Sequence, residues 1–125
     1  MIVVGYRSIY QLRDLPVSLA TARGGNVIGG GDWSESRLVP DLARAIRSET
    51  PLVIRNPDAI RPWQHVLCLC HGYLCLVKSM LKNPNTFSGA WNFGPARRDM
   101  LSVKNLLDRF ESNWLLPKIK VLPER

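Results

Sequence analysis

What the chain has little of narrows it first. Only three of its 125 residues are cysteines, all within VLCLCHGYLCLV at 66–77. An odd, tightly clustered set makes no disulfide framework, so a reducing compartment, the cytoplasm, is the expectation. No apolar stretch approaches the roughly 18 to 20 residues that cross a bilayer, and no membrane partner is expected. The opening MIVVGYRSIY has no basic n-region, only a short apolar run and no small-residue cleavage site. A signal peptide is therefore not expected. Basic residues never run to five in a row; the one adjacent pair is Arg97–Arg98. Helix-turn-helix, zinc-finger and RNP patterns are missing too, which counts against nucleic acid as a partner. Repeats and low-complexity linkers are absent.

What is present reads as soluble and globular, with 46% apolar and 22% charged residues. Lys plus Arg outnumber Asp plus Glu by 17 to 10, a net charge of +7 that favours an anionic partner. The surplus is mostly isolated arginine: Arg23, Arg37, Arg44, Arg47, Arg55 and Arg61. Single guanidinium groups in apolar segments suit a few bidentate phosphate contacts better than a broad electrostatic footprint. A solvated basic surface is the alternative for any one of them.

Hydrophobic periodicity predicts an α/β layout. A helix over 2–13 puts Ile2, Tyr6, Ile9 and Tyr10 on one face. A strand follows at 17–22, then a glycine-rich loop at 24–35. Ser36 is placed to cap a helix over 37–48 that turns Leu38, Leu42, Ala45 and Ile46 inward. A strand at 52–55, a turn at NPDA and an extended stretch at 60–66 lead to a nearly all-apolar helix over 67–82. A loop at 83–89, a strand at 90–93, an amphipathic segment at 102–114 and a strand at 118–122 complete the chain. It opens inside a helix and stops just after a strand, the pattern expected of a piece of a larger protein.

Each chemical motif can be tested against its spacing. Five of the eight residues Gly24 to Gly31 are glycine, and the loop joins a strand to a helix, where ligands of α/β folds sit. It fails the Walker pattern, because Gly24-x4-Gly29 is followed by Gly30–Gly31. It also fails GxGxxG, because Ser34 stands at the last position. A tight surface loop remains the alternative. Cys68, His71 and Cys75 share a helical face, but without a CxxC pair they read as small core hydrophobes, and no metal is expected. Asp32, Glu35 and Asp41 show no catalytic spacing and are read as capping or solvated groups. The residues four after Tyr6, Tyr10 and Tyr73 are Tyr10, Asp14 and Val77, so no Tyr-x-x-x-Lys pair exists. No catalytic residue is assigned.

Three runs carry a resemblance: ARGGNVIGGGDWSESRLVPD (22–41), VIRNPDAIRPWQHV (53–66) and AWNFGP (90–95). In this order and spacing they resemble the C-terminal half of the CDP-glucose 4,6-dehydratases, NAD-dependent members of the extended short-chain dehydrogenase/reductase group. The match covers roughly residues 2–95 and fades after Pro95; LCLCH at 67–71 departs from the pattern. The resemblance implies the end of a Rossmann-type sheet at 1–23 and a small α/β substrate-binding lobe at 24–125. It implies conversion of CDP-glucose to CDP-4-keto-6-deoxyglucose, with NAD+ taking a hydride from C4 and returning it to C6 as water leaves across C5–C6. It places the GxxGxxG turn, the Tyr-x-x-x-Lys pair and the acid/base carboxylate upstream of Met1, so the chain is expected to be inactive alone. Homodimers or higher homo-oligomers are usual in the family.

By the same resemblance, Asn26, Arg61 and Asn92 contact the pyrophosphate, Arg37 and Leu38 line the nucleotide pocket, and Val53 and Arg55 flank the base. Blander roles stay open: Asn26 as cap of the glycine turn, Asn92 as a strand end, Arg61 as a surface ion pair. Trp33, Trp63 and Trp91 are expected to pack rather than stack on a ligand. A non-catalytic nucleotide-sugar binder is the alternative function, and a basic nucleic-acid module a weaker one.

Overall fold

A computed structural model describes residues 5, 6, 8, 9 and 17–122, apart from the side chain of Asn85. Gly5, Tyr6, Ser8 and Ile9 are helical, and the rest of the helix expected over 2–13 lies outside the described residues. The strands are β1 (Ala20–Gly24), β2 (Asn26–Ile28), β3 (Leu52–Ile54), β4 (Ile60–Arg61), β5 (Trp63–His65), β6 (Gly89–Phe93), β7 (Leu101–Ser102) and β8 (Ile119–Val121). The helices are α1 (Leu38–Arg47), α2 (Val66–Lys82), the single turn α3 (Pro84–Phe87) and α4 (Val103–Glu111), with a 3₁₀ turn at Arg97–Asp99.

Every strand pair joins segments distant in sequence. β1 runs parallel to β6, β2 to β5 and β3 to β8, while β4 and β7 are antiparallel. Parallel neighbours need a crossover, which here is helical: α1 lies in sequence between β2 and β5, and α2 between β1 and β6. Because β6 pairs with β1, the sheet expected from residues 1–23 draws a strand from residues 89–93 as well.

The core sits between α1, β3 and α4, where Leu42 and Ala45 of α1, Leu52 and Ile54 of β3, and Leu107 of α4 are buried together. Leu38, Val103, Phe110 and Leu116 pack around them. Leu38, Leu42 and Ala45 follow the inward stripe predicted for α1, but Ile46, in the last turn, does not: it is 42% exposed. Helix α2 packs against the β1–β6 pair. Its Tyr73 ring stands edge-on to Phe93 at 5.2 Å, and a Cβ at Gly72 would meet the Phe93 ring.

The helix caps depart from the simplest expectation. Ser36 does not cap α1; it lies in the left-handed region with φ 61°, and Arg37 takes the cap position without a side-chain bond. Capping needs extended backbone at the cap residue, which Ser36 lacks. In α2 the cap is His65, whose Nδ1 accepts from the Leu67 N–H at 3.2 Å. In α4 it is Ser102, whose Oγ accepts from the Asn105 N–H at 3.1 Å. Two segments expected to be loops hold short structure. Asn26–Ile28, β-branched at its centre, forms β2, and Pro84–Phe87 forms one helical turn.

Candidate sugar-nucleotide cleft

β2 and β5 open one wall of a cleft of about 740 Å³, a volume suited to a ligand of nucleotide size. The wall is placed by a close backbone approach. The Asn26 N–H donates to the Pro62 carbonyl at 3.1 Å, and in the register Asn26 lies opposite Trp63. Gly25 permits this, since a Cβ there would come within 2.7 Å of the Pro62 carbonyl oxygen and ring. Asn26 is thus set beside Pro62 and Trp63, and it shares the cleft with Arg61, although the two are far apart in sequence.

The remaining walls come from the segment 36–41, from 53–56 and from Val103 and Leu122. Six of the seven binding residues expected from the sequence line this space: Asn26, Arg37, Leu38, Val53, Arg55 and Arg61. Arg55 and Arg61 form no ion pair among the described residues. The Arg61 guanidinium makes one bond, from Nη1 to the Ile60 carbonyl at 3.2 Å. Cationic donors left open in a cleft are what an anionic ligand requires. Asn92 is not among the lining residues. Alternation along β6 is the cause: Trp91 and Phe93 turn inward, so Ala90 and Asn92 face the other way and are exposed.

Residues that sequence reasoning passed over also line the cleft, among them Asp32, Asp41, Asn56 and Trp63. Asp32 is held at both oxygens. Oδ1 accepts from the Ser34 N–H at 3.0 Å and Oδ2 from Arg37 Nη1 at 3.4 Å. Hydrogen bonds from Ser34, side chain first and then backbone, keep its carboxyl below the usual carboxylate range, with the Arg37 charge adding less. Its nearness to Arg37 in sequence was the available signal. Asp41 is engaged by Arg44 Nη2. The same guanidinium fastens the preceding loop, donating to the Trp33 carbonyl at 2.7 Å and the Ser34 carbonyl at 3.1 Å.

Of the tryptophans, Trp63 and Trp91 are tied inward by indole bonds to the Leu101 and Phe87 carbonyls, each at 3.0 Å. Trp33 is 56% exposed and does not pack as expected. Cys75 Sγ lies 3.5 Å from His71 Nε2 on the exposed side of α2. Among the described residues no group of three or more His, Cys, Asp or Glu is placed to hold a metal ion.

Over 98 residues, 78% of this chain, the sequence is 44% identical to CDP-glucose 4,6-dehydratase of Salmonella typhimurium strain LT2. The chain is a relative of that dehydratase. It spans 27% of the dehydratase's length. No family model matches. Among solved structures, MoeE5 in complex with UDP-glucose and NAD aligns over 90% of this chain and 36% of its own, with a TM-score of 0.71 at 23% identity. The dTDP-glucose 4,6-dehydratase of Bacillus anthracis, in complex with NAD, aligns over 100% of this chain and 37% of its own, with a TM-score of 0.69 at 17% identity. At such identities these likenesses establish the fold: part of the extended short-chain dehydrogenase/reductase architecture, with mixed α/β elements as the sequence predicts.

Proposed function

We propose that this chain is the sugar-nucleotide-binding part of an NAD-dependent 4,6-dehydratase, and that the nucleotide sugar it holds is CDP-glucose. The observation that carries the reading is the convergence of Asn26, Arg37, Leu38, Val53, Arg55 and Arg61 on one cleft. The Asn26 amide and the Arg61 guanidinium, both lining the cleft, supply donors for a diphosphate. Each charge-assisted hydrogen bond contributes about 1.5–3 kcal/mol. Leu38 and Val53 offer apolar surface to the base, with Arg37 and Arg55 beside them. Asn92, on the far face of β6, takes no part in this clamp.

NAD is the cofactor we assign to the complete enzyme, on the strength of the dehydratase relative and the NAD-bound neighbours. The 125 residues contain neither GxxGxxG nor Tyr-x-x-x-Lys. The glycines of the 24–31 segment are largely spent on packing: a Cβ at Gly24, Gly25 or Gly29 would strike Leu69, Pro62 or Val66. The chemistry that these residues support is binding and orientation of the nucleotide sugar. In this division of labour the β1–β6 pair belongs to the dinucleotide-binding side and the cleft to the substrate lobe.

Titration calorimetry with CDP and CDP-glucose tests the reading. Both are expected to bind the chain, and Arg61→Ala to weaken binding by about 2 kcal/mol. Absence of binding, or an affinity indifferent to Arg61, overturns it.

A further inference from the structure

We propose that Asp32 selects the base of the bound nucleotide: its carboxylate accepts a hydrogen bond from the exocyclic amine of cytosine and so favours a cytidine over a uridine diphosphate. The inference rests on the nucleotide-binding reading of the cleft.

The charges lining the cleft pose the question. Arg37, Arg55 and Arg61 suit an anion, yet two carboxylates, Asp32 and Asp41, line the same space. Asp41 is accounted for by its bond from Arg44. Asp32 is not used up in this way. It accepts the Ser34 hydroxyl and N–H and a longer bond from Arg37, and its side chain remains 30% exposed. An ionised carboxylate is acceptor-only, with about four lone-pair sites. Three are occupied here, which leaves one for a ligand, and the group is held in the charged state.

Such a group cannot face phosphate, because like charges at close range are unfavourable. Its partner must be an uncharged donor at the other end of the ligand. The fixed position of the carboxylate points to that end. It is bonded to Arg37, the residue preceding Leu38, and Leu38 and Val53, two of the cleft's apolar side chains, are the pair to which the proposed function gives the base. At the ring edge cytosine presents an amine where uracil presents a carbonyl oxygen. The amine completes the carboxylate's bonding, whereas the oxygen is set against another oxygen. Carboxylate side chains read cytosine by this same contact in other settings, and an unmatched acceptor pair is what rejects the wrong ligand.

The test is calorimetric titration of the 125-residue chain with CDP and with UDP, before and after Asp32→Asn. Asparagine keeps a carbonyl oxygen for the Ser34 N–H, so the turn persists, and it replaces the second acceptor with a donor. The unaltered chain is expected to prefer CDP about tenfold. In Asp32→Asn the two affinities are expected to fall within about threefold of each other, through weaker CDP and tighter UDP binding. A variant that retains the preference, or that loses CDP and UDP equally, overturns the role of Asp32 while leaving the cleft as the nucleotide site. Equal binding of both nucleotides by the unaltered chain does the same and directs attention to the ribose hydroxyls. A chain that binds neither nucleotide removes the cleft reading, and this inference with it. Circular dichroism confirms that the variant is folded, and Asp32→Ser repeats the comparison with a different turn-forming side chain.

Discussion

Arg44 lies outside the cleft yet governs it. Its guanidinium bonds the carbonyls of Trp33 and Ser34 and the carboxylate of Asp41. The loop carrying Asp32 and Arg37 is thereby pinned to α1. A planar guanidinium is pre-organised to hold spread-out acceptors, whereas an ammonium is a compact point charge on a flexible stem. Arg44→Met, which keeps the apolar stem, is expected to weaken CDP binding by about 1–2 kcal/mol and to speed amide exchange at residues 34–37. Arg44→Lys should recover only part of the affinity. Calorimetry with hydrogen exchange checks both; unchanged affinity in Arg44→Met would mean that the loop is positioned by other contacts. At this scale the sequence could mislead. Ser36 has the right chemistry for a cap, and only its backbone angle disqualifies it. Asp32 looked like a solvated carboxylate, and only its place in the cleft gives it another use.

Among the elements, strand proximity and helix packing carry separate consequences. Gly25→Ala puts a methyl against the Pro62 carbonyl, a backbone atom that cannot swing aside. Overpacking of this kind costs about 1–3 kcal/mol. Denaturant unfolding should show that loss, and calorimetry a weaker hold on CDP, since Asn26 and Arg61 flank the strained contact. Leu107 and Leu74 make a second comparison. Both are leucines on helices, but Leu107 is 2% exposed within the core and Leu74 is 69% exposed on α2. Leu107→Ala is expected to cost about 2–5 kcal/mol, and Leu74→Ala less than about 0.5 kcal/mol. Comparable losses in the two unfolding curves would contradict the placement of the core. The α2 segment itself, nearly all apolar in sequence, gave no hint of which side is covered. Leu76 is buried, whereas Leu67, Leu74, Val77 and Leu81 are exposed. With apolar residues all round, periodicity has no polar face by which to orient the helix.

For the whole molecule, size sets the functional limit. The chain spans 27% of its dehydratase relative and holds a cleft but no dinucleotide motif. Supplied with NAD+ and CDP-glucose, the 125 residues are expected to form no 4-keto product, as monitored by mass spectrometry for loss of water. Turnover by this chain alone would show that the missing motifs are not required.

Local chemistry made the order of elements readable from the sequence, because periodicity, turn residues and chain breaks act between near neighbours. Residue runs such as NVIGGGDW and IRPWQHV made the family resemblance readable as well. Which side chains meet was decided only in three dimensions. Asn26 comes to the same cleft as Arg61 through the parallel pairing of β2 with β5, and Asn92 is turned away by the alternation of β6 beside β1. Pairing between distant strands sets those positions, and no short stretch of sequence encodes the register of its partner.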